Sequence, residues 1–344
     1  MARDKRNGER IFPYLGGEEV NDSPTHAHHR FIIAFESFPL RRTNLNCSWH
    51  TADVTLRAQW LQSGVVPEDY PYPVAADWPD LLAIVKDRVS QKRLEGNRSK
   101  SWWQFERPRP ELSAALLQSQ EVLLHCQTGQ AFGFAFSEPR KVFSHKLIVF
   151  PKASFGELSL LQSRVHEVWA RLMGSSQEDR PVYTPTDCFQ TFPFPSDLSS
   201  LQDIGRAYYD FRARLMVQNN EGLTKTYNRF HDPEEQSEDF KKLRSLHHAM
   251  DRAVLDAYGW TDIQPVAQHE AEFEEEAIDE DDFSGAKKPK QKYRLRWPEE
   301  VRDDVLARLL ILNEQCAAAE ALEPKAKKKG KRAATPLFDS RDLE

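Results

Sequence analysis

The sequence predicts an α+β chain: a mixed sheet-plus-helix domain, then a helical carboxy-terminal domain and a disordered charged tail. Three observations predict it. The segments "EVLLHCQ", "AFGFAFSE" and "HKLIVFP" are short, apolar and broken by Gly129, Pro139 and Ser144, as strands of one sheet are. Beyond Leu201 the apolar residues recur every three or four positions, the spacing of a helix face. Beyond Glu270 charge dominates, first acidic and then basic.

Residues 1–29 are an irregular, turn-rich leading segment, punctuated by Gly16-Gly17 and by Asn21 to Pro24. "RFIIAF" (Arg30 to Phe35) reads as a short buried strand and opens a domain over residues 30–195. Glu36 to Asp77 is irregular, a surface insertion. "WPDLLAIVKDRVSQKRL" follows with Leu81, Leu82, Ile84, Val85 and Val89 at helical spacing. After the three strands, "SFGELSLLQSRVHEVWARLMG" is expected to be one helix. Ser154 and Glu157 make a capping box, Leu158, Leu161, Val165, Val168 and Leu172 form a stripe, and Gly174 sits where a C′ residue belongs.

"YTPTDCFQTFPFP" (Tyr183 to Pro195) is too apolar for a solvent loop and too rich in proline for a helix or inner strand. It is expected to be an extended structural strap, held by Pro185, Pro193 and Pro195, with Phe189, Phe192 and Phe194 buried and Cys188 a small core residue. Residues 196–265 form the helical domain. One helix carries Leu201, Ile204, Tyr208, Phe211 and Leu215. The next starts at Ser237, carries Phe240, Leu243, Leu246, Met250, Val254 and Ala257, and stops at Gly259; the two stripes pack as a hairpin. A charged linker (266–296), a helix (297–318) and a basic disordered tail (319–344) complete the chain.

At 344 residues the length suits two domains with tails. No apolar run approaches the roughly 20 residues of a membrane helix, so a cytoplasmic location without membrane contact is expected. Four scattered cysteines without a CxxC pair fit reduced thiols. The net charge of −6 conceals an acidic block, Glu270 to Asp282, that holds nine acids, so the remainder is slightly positive. Nucleotide loops (GxGxxG, GxxxxGK[ST]), a GxSxG elbow, HExxH, an Asn-Pro-Pro-aromatic tetrad and a nuclease carboxylate–Glu-x-Lys set are all missing, so no catalytic residue is assigned. His26, His28 and His29 with Cys47 and His50 offer metal-ligand chemistry, yet their spacing matches no common zinc module, and no metal is assigned.

"WWQFERPRPEL", "FSHKLIVF", "LQSRVHEVWARLMGSS", "YTPTDCFQTFPFP" and "NNEGLTKTYNRFHDP" occur in this order, preceded by "IFPYLGGEEVNDSPTHAHHRFIIAF". Over roughly residues 7–265 the chain resembles the carboxy-terminal part of the MmeI-like, type IIG/IIL restriction–modification methyltransferases: a target-recognition domain followed by a helical domain. The resemblance implies DNA sequence recognition on behalf of an adenine-N6 methyltransferase, often fused to a nuclease. S-adenosylmethionine is then expected on an upstream or partner catalytic part, because its motifs are not in this sequence. Double-stranded DNA and a methyltransferase/nuclease chain are the expected partners. The alternative is a protein–protein scaffold that docks such a catalytic partner through the helical stripes and does not read DNA.

Contacts to DNA need cations and donors on rigid supports. Arg164 and Arg171 flank one edge of the expected helix stripe and His166 the other, with Ser175 and Ser176 at its end; a solvated, salt-bridged face is the plainer reading. His145 and Lys146 open a strand. Arg107 and Arg109 in "FERPRP" suit bidentate guanine contact, or stacking on Trp102 or Trp103. Lys225, Tyr227 and Arg229 are expected in a polar loop between helices that clamps a phosphate, or that merely links them.

Overall fold

The computed structural model describes residues 4–88, 101–105, 109–129, 131–177, 180–263, 272–276 and 292–322. Its strands and helices in chain order are β1 (Ile11–Leu15), α1 (Gly17–Asp22), β2 (Arg30–Ile33), β3 (Arg41–Thr43), α2 (Val54–Ser63), β4 (Val65–Pro67), α3 (Pro79–Arg88) and α4 (Pro110–Leu116). Then come β5 (Val122–Cys126), β6 (Phe134–Ser137), β7 (Val142–Phe143), β8 (Leu147–Pro151), α5 (Phe155–Gln162), α6 (Arg164–Met173), β9 (Ser175–Gln177) and β10 (Arg180–Val182). The helical half holds α7 (Gln202–Asn219), α8 (Leu223–Phe230) and α9 (Glu238–Ala257), followed by β11 (Glu272–Glu276), β12 (Lys292–Arg296) and α10 (Glu299–Leu322). The chain is α+β, as expected.

The three central strands form one antiparallel sheet in the order β6-β5-β8. Side chains alternate across a strand, so β5 divides its residues between two cores. Val122, Leu124 and Cys126 face a cluster shared with Tyr208, Leu215, Tyr227, Phe240 and Met250 of the helical half. Leu123 faces Phe134, Phe136, Phe150, Leu158, Leu161 and Cys188 on the other side. A strand covered on both faces must be apolar throughout, which is why all five residues of β5 are buried. The free edge of β6 is capped by side chains. Gln162 Oε1 accepts from Phe134 N (3.0 Å), the Tyr209 hydroxyl accepts from Phe136 N (3.0 Å), and Arg212 donates to the Phe134 carbonyl. The edge therefore presents few free backbone groups to another strand.

Several expectations change. "RFIIAF" is a strand only to Ile33, at the edge of the β2-β1-β7 sheet, and Phe31 is 62% exposed. The expected single helix is two. At Ser163 the backbone turns extended (φ −67°, ψ 158°), and its hydroxyl caps α6 by accepting from His166 N. The break re-aims the stripe: Trp169 becomes fully buried while Leu172 is half exposed. Gly174 is needed for close approach rather than for a left-handed turn, because a Cβ there would sit 2.6 Å from the Ala170 carbonyl. In the strap, Pro185–Phe189 is wound into a single wide helical turn, and only the part beyond it runs irregular; Phe192 is buried but Phe194 is exposed. Cys188 is a core residue. The loop expected around Lys225 is the helix α8, whose Leu223, Tyr227 and Phe230 are buried at i, i+4 and i+7. In the expected charged linker, "EFEEE" (β11) pairs antiparallel with "KYRLR" (β12), Glu274 opposite Arg294 and Glu276 opposite Lys292.

Helices α7 and α9 pack together as expected, and both reach back to the sheet-bearing half. The deepest tie is ionic. Arg164, at the start of α6, donates its backbone N–H to Asp251 Oδ1 (2.8 Å) and its Nη1 to Asp251 Oδ2 (2.5 Å) on α9. Its Nε reaches the Leu295 carbonyl on β12 (3.3 Å). His247 Nδ1 stands between the partners, 3.1 Å from Arg164 Nη1 and 3.3 Å from Asp251 Oδ2. His231 Nδ1 accepts from Leu295 N (3.1 Å), and burial pushes its pKa well down.

Asp251→Asn strands the Arg164 charge in the core, with an expected loss of about 3–5 kcal/mol; a urea titration that matches the unaltered chain contradicts this. Burial also lowers His26 and His125 to about 4 and His166 to about 3 from 6.5. The unfolded chain then takes up protons below 6.5 that the folded chain refuses. Stability is full above pH 6.5 and falls toward pH 4, and melting temperatures across that window read it directly.

Candidate nucleic-acid interface

Four chain segments converge where β5 ends, and backbone atoms join them. Gln127 N donates to the Lys146 carbonyl (2.8 Å), Tyr183 N donates to the Gln127 carbonyl (2.8 Å), and Ser144 N donates to the Leu15 carbonyl (2.9 Å). Thr128 bridges Val182, and Val182 pairs with Ser175 in the β9–β10 hairpin. The result is one backbone-paired strip running from the β7–β8 turn through the end of β5 to the hairpin.

This strip gathers part of the expected site. His145 and Lys146 are exposed in the β7–β8 turn, and Ser175 is exposed at the first position of β9. Ser176 pairs with Pro181 in the same hairpin. Arg171, in the last turn of α6, lines a small recess beside Val182 with His125, Gly129, Phe132 and Tyr183. It is held by Glu167 one turn back (Nη2–Oε1 2.7 Å). Burial raises the Glu167 pKa, but the Arg171 guanidinium beside it outweighs this and holds the carboxyl at about 2, so the pair is ionised.

Helix α8 abuts the strip through two glycines. A Cβ on Gly133 would sit 2.9 Å from the Tyr227 ring, and one on Gly222 only 2.3 Å from the Asn21 carbonyl. Lys225 is exposed on this helix, and among the described residues no ion pair holds it. The Gly16-Gly17 turn and α1 close the same end, where the Cys126 thiol donates to Asn21 Oδ1 (3.4 Å).

Other expected contacts are corrected. Arg164 is 4% exposed and spent on Asp251, so it is a core tie and not a groove-facing cation. His166 is fully buried, its Nε2 2.9 Å from the Tyr183 hydroxyl. Tyr227 is buried as well; its hydroxyl accepts from Arg212 Nη1 (2.8 Å) and bonds the Tyr208 hydroxyl (2.8 Å). Arg229 is clasped by Glu221 (3.1 Å) and Glu235 (2.8 Å) and lies 4.3 Å over the Phe240 ring. Arg109 is exposed at the N-cap of α4. Arg107 lies outside the described residues. The histidines and cysteine weighed as metal ligands are separated: His26 donates to the Val20 carbonyl, His28 packs edge-on to Phe31, and Cys47 and His50 lie in the loop before α2. Among the described residues no three metal-ligating side chains cluster.

Sequence reasoning missed Arg30. Its guanidinium grips Glu19 with two 2.6 Å bonds, remains partly exposed and lies over Tyr14. Hydrogen bonding to Arg30 holds the Glu19 carboxyl down to about 2. Glu19 Oε2 also accepts from Gly16 N (2.9 Å), which fixes the Gly16-Gly17 turn beside the strip. The glycine pair was the only signal in the sequence.

Comparisons with known proteins bear on this same region. Residues 130–196 match the family model of the MmeI target recognition domain, a span that includes β6, β8, α5, α6, the β9–β10 hairpin and the strap. A solved structure of the type IIL restriction-modification enzyme MmeI in complex with DNA is similar at a TM-score of 0.50 and 18% identity. The likeness covers 91% of this chain and 32% of that one, so this chain spans about a third of the length of MmeI. At that identity the likeness speaks for the fold. No curated protein matches the chain.

Gly222→Ala forces α1 and α8 apart at a contact that leaves no room for a methyl group. The expected cost is about 1–3 kcal/mol, and a melting temperature equal to that of the unaltered chain overturns this reading of the joint.

Proposed function

We propose that this chain is the DNA sequence-recognition part of a restriction–modification enzyme. The observation that carries the proposal is a coincidence of position. The span matched by the target-recognition family contains most of the backbone-paired strip on which Lys146, Arg171 and Ser175 are presented. A strip held by backbone atoms gives a rigid frame, and rigid frames are what base reading requires.

On this proposal the parts divide the work. Lys146 and Lys225 supply phosphate contacts, which position the duplex without reading it. His145 and Ser175 offer hydrogen-bonding groups at the same surface. Arg171, oriented by Glu167, brings a guanidinium to the same surface, and a bidentate arginine–guanine pair discriminates by roughly 1–3 kcal/mol. Arg109 adds a further cation at the start of α4. Adenine methylation with S-adenosylmethionine belongs, on this reading, to a methyltransferase part outside this sequence, in the bacterial cytoplasm. None of the helices among the described residues is long and apolar enough to cross a membrane.

Binding to duplex DNA over a series of salt concentrations tests the proposal. The logarithm of affinity should fall linearly with the logarithm of salt as counterions are released. Lys146→Ala and Lys225→Ala should each weaken binding to all sequences and lower the slope by about 1, whereas Arg171→Ala should chiefly erode the preference for one sequence. Salt-independent binding, or no binding with a matching methyltransferase chain present, sinks the proposal.

A further inference from the structure

Gln127 stands at the centre of the backbone-paired strip, and its side chain is not used by the fold. Its main chain is locked from both sides: the N–H donates to the Lys146 carbonyl (2.8 Å), and the carbonyl accepts from Tyr183 N (2.8 Å). The residue is partly exposed, and among the described residues its side-chain amide has no hydrogen-bond partner. A free amide on a fixed backbone is held in place without being consumed, which is what a recognition group requires.

The sheet also decides what stands beside it. The antiparallel ladder of β5 and β8 sets Cys126 opposite Leu147, and one further step sets Gln127 opposite Lys146. Opposite residues of such a ladder share a face, so the amide and the ammonium group are neighbours. The period of two puts Gln127 on the face of Leu123 and His125. His125 in turn lines the recess to which α6 brings Arg171. An amide is thus displayed on the same face as two cations.

The chemistry of the side chain names what it can read. A planar amide offers one acceptor beside one donor edge. In the major groove adenine presents the complement, its N6 amino donor next to the N7 acceptor, whereas guanine presents two acceptors and suits arginine. We propose that Gln127 reads an adenine of the target, Oε1 accepting from N6 and Nε2 donating to N7. This inference rests on the DNA-recognition function proposed above and assigns it one base.

Selection of bound sequences from a random duplex pool by the full chain tests it, with melting temperature as the control for folding. The unaltered chain should select a motif with a required adenine. Gln127→Ala should lower the preference for adenine at that one position by about tenfold, leaving the other positions and the salt slope unchanged. Gln127→Glu, which keeps the shape but exchanges the donor for an acceptor, should move the preference there to cytosine, whose N4 amine donates. In a duplex of the selected sequence, 7-deazaadenine at that position removes the N7 acceptor. It should weaken the unaltered chain and leave Gln127→Ala unaffected. A motif that both variants retain in full overturns the assignment of Gln127 while DNA recognition stands, and so does an equal loss at every position. A chain that selects no motif overturns the recognition function and this inference with it.

Discussion

The buried bond between Arg164 and Asp251 is the constraint on which the arrangement of the chain depends. It begins at a break between helices: Ser163 ends α5, caps α6 and turns the first residue of α6 inward. There the guanidinium meets a carboxylate from α9, a ring nitrogen from the same helix and a carbonyl from β12. A charge pair without water is worth little unless its donors are answered, and here groups on two other elements accept from Nη1, Nε and the backbone N–H. One residue thereby fixes the sheet-bearing half against the helical half and against the β11–β12 hairpin. Arg212 plays a parallel part nearer the sheet, where carbonyl, amide and phenol oxygens replace a carboxylate.

That fixity reaches the surface through the sheet. The strands are gripped on both faces, so the end of β5 is a rigid platform, and the segments meeting there are joined main chain to main chain. Arg171 lies two turns from Arg164 on α6, so a core ion pair at the start of the helix sets the place of a partly exposed guanidinium in its last turn.

Much of this was legible in the sequence and some was not, for reasons that particular residues supply. The strands around Leu124, Phe134 and Phe150 announced themselves by composition, because strands covered on both faces are apolar throughout, and α9 by its stripe, because a single buried face leaves a clear period. The break at Ser163 was hidden. Its flanks carry leucines and valines on both sides, and serine is a cap only where tertiary contacts let the backbone turn. Helix α8 was misread since Lys225 and Arg229 mask the spacing of Leu223, Tyr227 and Phe230. Among the candidate residues, His145, Lys146, Ser175 and Lys225 were named from polarity and are exposed. Arg164 and His166 could not be told from surface residues, because a buried charge is recognised only by a partner that stands eighty-seven positions away, at Asp251. Pairing of the acidic "EFEEE" with "KYRLR" was equally nonlocal.

The strip that joins Lys146, Gln127, Tyr183, Thr128, Val182 and Ser175 has a further consequence. Its joints are made by amide and carbonyl groups, which every amino acid except proline supplies in full. Its exposed residues, His145, Lys146 and Ser175, are therefore interchangeable without disturbing the scaffold that carries them, whereas buried Tyr183 is not. Natural variation, or a laboratory library confined to those positions, gains freedom to retune chemical preference while folding is left alone.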